Sequence, residues 1–263
     1  MARQPIKLFW SRGTAKRGGP RNAGDWYAPQ LIEHLTGRRV AFAPVTACDL
    51  VSTGSLLDRL SRSHRLHRLG LRRRLTIWGT GTLAAEHRLA GQHRVCALRG
   101  ALTRERVSSA TTTTPLGDPG LLAGELLERR PERTAALGVV VHQAHAEDRE
   151  LGSWFETNPW VKQLPATLPL DNLLPEIARC EALWSTSLHG LIFADALGVP
   201  NRWIDRPGLV GGRFKFDDYY SAFGLRLEPL SLSQADPRNP VDDYLRPGLA
   251  ELQAGLRGAF PEL

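Results

Sequence analysis

The sequence predicts an α/β protein, built as two small doubly wound domains facing a cleft. Short apolar strands and helical stretches alternate along the chain, the order that produces parallel sheets. A polar, proline-containing stretch, ERRPER at residues 128–133, interrupts that alternation near the middle. The 263 residues suffice for one large domain or two small ones.

Residues 7–10 form a first apolar strand, followed by a loop rich in glycine, arginine and proline. Asp25 can cap a helix over 26–36, with Pro29 tolerated near its first turn and Gly37 ending it. Residues 39–44, 75–78 and 94–98 read as further strands. The glycine turn GTGT closes the strand at 75–78, and a helix starts at Ala101. The second half repeats the pattern, with strands at 135–142, 182–185 and 201–204 and helices at 171–179 and 189–198. In the tail, Leu249, Leu252 and Leu256 recur at helical spacing. The expected division is an N-terminal domain at 1–130 and a C-terminal domain at 131–240, with a last helix at 241–258 packed back on the first.

Composition bounds the function. A chain that is 42% hydrophobic and 23% charged is globular rather than disordered. It has no apolar run of roughly 20 residues, and its start, MARQPIKLFW, lacks a signal-peptide core, so a cytoplasmic location is expected. Cys48, Cys96 and Cys180 are scattered and odd in number, which suits buried free thiols and no metal site. The net charge is +7, and only Lys7, Lys16, Lys162 and Lys215 among the 34 basic residues are lysines. Guanidinium groups are planar donors suited to phosphate and carboxylate. They are densest at 58–75, where they interleave with leucines. That segment reads as a solvated helix face or as a peripheral contact with an anionic membrane at its inner face. No nucleic-acid-binding module accompanies it, so nucleic acid is not an expected partner.

Doubly wound sheets keep their ligands beyond the carboxyl ends of the strands. In STSLHGLIFADALGVP, His189 lies in the first turn of a helix that follows a strand, behind Ser185, Thr186 and Ser187. The open N–H groups of such a turn attract anions, and an imidazole there can exchange a proton beside one. A core histidine bonded to the next loop is the alternative. In RNAGDWYAP, Asp25 is a helix cap or an acid or base, and Asn22 forms an Asx turn. The glycines of WGTGT can let backbone approach a ligand. Arg99 ends a strand, placed to clamp a carboxylate or phosphate or to form a surface ion pair. Asp118, before Pro119, reads as a structural cap. GGRFKFDDYYSAFG at 211–224 reads as a loop carrying Arg213 and Lys215, either closing over an anion or solvated.

Taken in order, KLFW, RNAGDWYAPQLIEHLTG, WGTGTL, LRGALTRERV, PLGDPGLL, STSLHGLIFADALGVP and GGRFKFDDYY resemble the polysaccharide pyruvyl transferase family, over most of the chain. The resemblance implies two Rossmann-like domains in a GT-B-like arrangement. It implies transfer of the enolpyruvyl group of phosphoenolpyruvate onto a sugar or lipid-linked oligosaccharide destined for a surface polysaccharide, with release of phosphate. No cofactor is implied; phosphoenolpyruvate is the donor substrate. On these terms His189 and Asp25 are the catalytic candidates. Arg99 matches a donor-holding arginine, and Ser187, Leu188, Asn22, Gly24, Gly79 and Lys215 complete the substrate-binding set. Some family members carry arginine two residues before the histidine, where this chain has Ser187. A glycosyltransferase using a nucleotide sugar on the same architecture is the alternative.

Overall fold

The structure, a computed structural model, describes residues 4–13, 19, 21–62, 74–241 and 244–263. Most of the arginine-rich stretch expected at a membrane face therefore lies outside the described residues.

Nine strands are present among them: β1 (Ile6–Phe9), β2 (Val40–Phe42), β3 (Leu50–Ser52), β4 (Thr76–Trp78), β5 (Arg94–Ala97), β6 (Ala135–Val141), β7 (Lys162–Pro165), β8 (Cys180–Ser185) and β9 (Asn201–Trp203). They form two sheets in the orders β2-β1-β3-β4-β5 and β7-β6-β8-β9, parallel throughout. Strand order therefore reverses between β1 and β3 in one sheet and between β6 and β8 in the other. Such reversals open a crevice at the carboxyl ends of the strands. β6, AALGVVV, is buried along most of its length, as a central parallel strand covered on both faces must be. Gly138 lets it approach β8 closely, since a Cβ there would lie 2.5 Å from Cys180 Sγ.

The helices among the described residues are α1 (Ala23–Thr36), α2 (Leu57–Arg62), α3 (Ala101–Arg104), α4 (Arg149–Thr157), α5 (Leu170–Ala178), α6 (Leu188–Ala196), α7 (Phe214–Ser221) and α8 (Leu249–Gly258). α1 begins earlier than expected because Asn22, not Asp25, caps it; the Asn22 side chain accepts the Gly24 N–H at 2.9 Å. This corrects the sequence reading and releases Asp25 from capping. The expected loop at 211–224 is also corrected: α7 occupies its centre, with Phe216 stacked on Trp203 at 4.0 Å.

One core cluster draws on both sheets, joining Ile6 and Leu8 of β1 to Val140 of β6, Leu183 of β8 and Ile192 and Phe193 of α6. Truncating Ile192 to alanine would cost ~2–5 kcal/mol. Between α1 and α6 runs a 3-10 segment, Pro119–Leu126, capped by Asp118, whose carboxylate accepts Gly120 N–H at 2.9 Å and Tyr27 O–H at 2.5 Å. Against it lies α8, where Gln253 donates to Leu121 O at 2.8 Å and Leu256 O accepts from Trp78 Nε1 at 2.9 Å.

α7 follows the second sheet in sequence but is bonded to the first. Asp218 accepts from Arg99 Nε at 2.8 Å and from the Thr103 N–H and hydroxyl at 2.6 and 2.7 Å. Ser221 Oγ accepts the Ala101 N–H at 2.8 Å. Gly100 permits this contact, because any side chain there would run into the Asp218 backbone.

Candidate active site

A cavity of about 530 Å³ opens where the carboxyl ends of the two sheets meet. Its walls come from the loops and helix starts that follow the strands: Ser11 and Asp25 after β1, Ser55 and Arg59 after β3, Arg99 after β5, His142 and Gln143 after β6, His189 after β8 and Lys215 after β9. Both crevices predicted by the strand orders thus open into one space.

His189 sits in the first turn of α6. Ser187 is the N-cap in extended conformation and gives no side-chain cap. Ser185 Oγ instead accepts the Ser187 N–H at 2.9 Å and donates to Ser187 O at 2.7 Å. The next N–H groups and the positive end of the helix dipole remain for an anion. The imidazole lies 5.4 Å from the Tyr27 ring and 6.0 Å from that of Phe193. Its other side rests on Gly24, where a Cβ would fall 2.3 Å from Nδ1. Gly24 is therefore required for space, not for a left-handed backbone. Nε2 is enclosed and has no partner among the described residues. Burial, then the charges of Lys215 and Arg99, lower its pKa to about 3, so the ring is neutral at pH 7.

Asp25 faces the same cavity. Burial raises its pKa to about 6, against the opposing effects of the Ser11 hydroxyl, Arg59 and Lys215. Lys215 is lowered to about 8 by burial and by Arg99, and Asp25 partly restores it. A carboxyl raised to about 6 and an imidazole held neutral, beside a cation, suit proton transfer next to a bound anion.

Residues 4–207 match the model of the family described as polysaccharide pyruvyl transferase. The chain belongs to the polysaccharide pyruvyl transferase family. An uncharacterised protein of Acanthamoeba polyphaga mimivirus is 29% identical to it over 227 residues, covering 78% of this chain and 71% of that one. The family match ends before α7, so Lys215 enters the cavity from outside the matched span.

Of the residues singled out from sequence, His189, Asp25, Arg99, Ser187, Leu188, Asn22 and Lys215 line the cavity of this pyruvyl transferase family member. Gly24 supports the histidine from behind. Gly79 lies elsewhere: a Cβ on it would meet Pro119 at 2.2 Å, and its φ of +72° favours glycine. Its partner in the motif, Gly81, makes room for the Arg99 guanidinium, which a Cβ would approach to 2.5 Å. The two glycines of WGTGT thus admit parts of the protein itself.

Arg99 is not the unpartnered clamp its position suggests. It is fully buried, and its donors go to Asp218, to Thr82 O at 2.7 Å, to Ser55 Oγ at 2.6 Å and to Gly54 O at 3.5 Å. Sequence reading passed over Ser11, Ser55, His142 and Gln143, and read Arg59 only as part of the arginine-rich segment at 58–75. His142 carried a usable signal, since it directly follows the apolar run of β6 as His189 follows β8.

A strained residue borders the site. Thr53, at the end of β3, has φ +68°, a conformation unfavourable for a β-branched side chain. It is buried and lies beside Tyr27, the ring that flanks His189. Strain of ~1–3 kcal/mol persists only where the surroundings over-determine it.

Proposed function

We propose that this protein transfers the enolpyruvyl group of phosphoenolpyruvate onto a hydroxyl of a saccharide acceptor, free or lipid-linked, and releases phosphate. The reaction takes place in the cytoplasm, between two Rossmann-like domains, 1–130 and 131–240, in a GT-B-like arrangement. The observation that carries the reading is the convergence of His189, Asp25, Lys215 and the open start of α6 on one cavity. The family match favours this donor chemistry over a nucleotide sugar.

Phosphoenolpyruvate brings a carboxylate and a phosphate. Lys215 and the N–H groups after Ser187 hold these anionic groups, with Leu188 and Asn22 bounding the space. Arg99 acts from behind: by gripping Asp218 it fixes α7 and so aims Lys215. Donor binding places negative charge beside an imidazole whose proton affinity burial and two cations had lowered. His189 then takes up a proton. That proton passes to the methylene carbon, the carbon beside it gains oxocarbenium character, and an acceptor oxygen bonds there. Asp25 orients the acceptor hydroxyl and receives its proton. Phosphate then leaves with the electron pair of its bond to carbon, and the cationic carbon so formed is quenched either by returning a methyl proton to His189, which completes enolpyruvyl transfer, or by a second acceptor hydroxyl, which closes a ketal.

The test is phosphate release from phosphoenolpyruvate measured with and without oligosaccharide acceptors, beside calorimetry against phosphoenolpyruvate and a uridine diphosphate sugar. Acceptor-dependent release and binding of phosphoenolpyruvate alone are expected. Binding of the nucleotide sugar alone would refute the reading.

A further inference from the structure

The turn after β6 has no part in the scheme above, yet it faces the same cavity. His142 caps the 3-10 turn Gln143–His145, and its Nδ1 accepts the Ala144 N–H at 3.0 Å. Its own N–H donates to Thr186 Oγ1 at 2.9 Å, just before the Ser187 cap of α6. His145 secures the other end of the turn by donating from Nε2 to Pro207 O at 2.9 Å. The His142 ring is therefore fixed, and its tautomer follows. Since Nδ1 accepts, the hydrogen of the neutral ring is on Nε2. Burial and the neighbouring Lys215, His145 and His189 lower its pKa to about 4, which keeps it neutral. In that state it offers a hydrogen-bond donor and no second basic nitrogen.

Gln143, the next residue, also lines the cavity. Its Oε1 is enclosed without a partner among the described residues. A half-turn about the terminal torsion exchanges oxygen for nitrogen, so the amide can offer the cavity either an acceptor or a donor. A buried amide end left unmatched is destabilising, and a bound hydroxyl would offset that cost.

His142 and Gln143 thus present neutral polar groups to the cavity, whereas Lys215 and the start of α6 present positive charge to it. A hydroxyl both donates and accepts and carries no charge, so it suits the neutral pair; a carboxylate or phosphate suits the cationic groups. We infer that His142 and Gln143 form the subsite for the acceptor sugar, reading a pair of its hydroxyl groups with one fixed donor and one reversible amide. The inference rests on the transferase reading above and assigns the acceptor, not the donor, to this turn.

Two substitutions separate it from a structural role. His142→Asn retains an oxygen able to cap the Ala144 N–H but removes the distal N–H. Gln143→Leu removes the amide and with it a buried unmatched polar atom, so its melting temperature should hold or rise. Saturation-transfer NMR of methyl β-galactopyranoside, methyl β-glucopyranoside and methyl β-mannopyranoside is read on the full chain loaded with phosphoenolpyruvate. The wild type is expected to bind at least one probe. Each variant should weaken that binding ~10-fold, while the Kd for phosphoenolpyruvate, measured by calorimetry, stays within about twofold. Unchanged sugar binding in both variants, loss of donor affinity in either, or no sugar signal from the donor-loaded wild type would each overturn the subsite. Failure of the wild type to bind phosphoenolpyruvate would instead remove the transferase reading, and the subsite with it.

Discussion

α6 carries one ionisable group at its start and another near its end, and the two are treated oppositely. Asp195, near the end, is saturated. Its carboxylate accepts from Asn201 Nδ2 at 2.5 Å, Tyr219 O–H at 2.6 Å, Tyr244 O–H at 2.9 Å and Arg246 Nε at 2.9 Å. Arg246 in turn lies 4.8 Å from the Tyr244 ring and 5.2 Å from that of Tyr220. At the start of the same helix His189 has an enclosed Nε2 with no partner among the described residues. A buried polar cluster with every lone pair matched holds elements in place; one left incomplete stores a demand that a ligand can meet. The contrast distinguishes anchor from site on a single helix.

Substitutions at the two ends should separate cleanly. His189→Ala is expected to lower turnover ~10²–10⁴-fold with little change in melting temperature, read by phosphate release beside thermal denaturation. A variant with undiminished turnover would remove the histidine from the chemistry. Asp195→Ala should act the other way, destabilising the fold by ~3–5 kcal/mol because Arg246 is left as an uncompensated buried charge. Denaturant titration checks this, and a loss below ~1 kcal/mol would show the cluster to be incidental. Lys215→Met should weaken phosphoenolpyruvate binding by roughly 10- to 100-fold, the worth of a charged hydrogen bond of ~1.5–3 kcal/mol, without altering the Asp195 cluster.

A last expectation concerns the pH dependence of stability. His189 and His142 titrate near 3 and 4 in the folded chain, below their ordinary 6.5. The unfolded chain therefore binds protons first as pH falls. Their contribution to stability is intact above 6.5 and declines as pH falls, to about 4 for His142 and about 3 for His189. Asp25, raised to about 6 from 3.8, opposes that decline between those values. The net expectation is a melting temperature that drops on acidification below 6.5, with a shallower slope in His142→Asn. An identical slope in that variant would contradict the lowered pKa.

Much of the fold was legible because buried parallel strands leave apolar runs, as in AALGVVV of β6 and CEALWS of β8. The misses have physical causes. β3 contributes only three residues, too few to show a period. β7, KQLP, lies at a sheet edge and needs little apolar surface. α7 is rich in aromatic and acidic residues and bounded by glycines, and contacts remote in sequence hold it: Trp203 under Phe216 and Arg99 on Asp218. At the site, His189, Asp25 and Arg99 could be picked out because each follows a strand or opens a helix. What Arg99 bonds to could not, since Asp218 is remote in sequence and their meeting depends on how α7 docks.

That docking has a further consequence. Severing the chain in the polar stretch between Leu126 and Ala135 would leave Arg99 on one fragment and Asp218 on the other, each with a desolvated charge and no counterpart. Neither piece could then be produced as a well-behaved soluble fragment, and co-expressed halves should be recovered together or not at all.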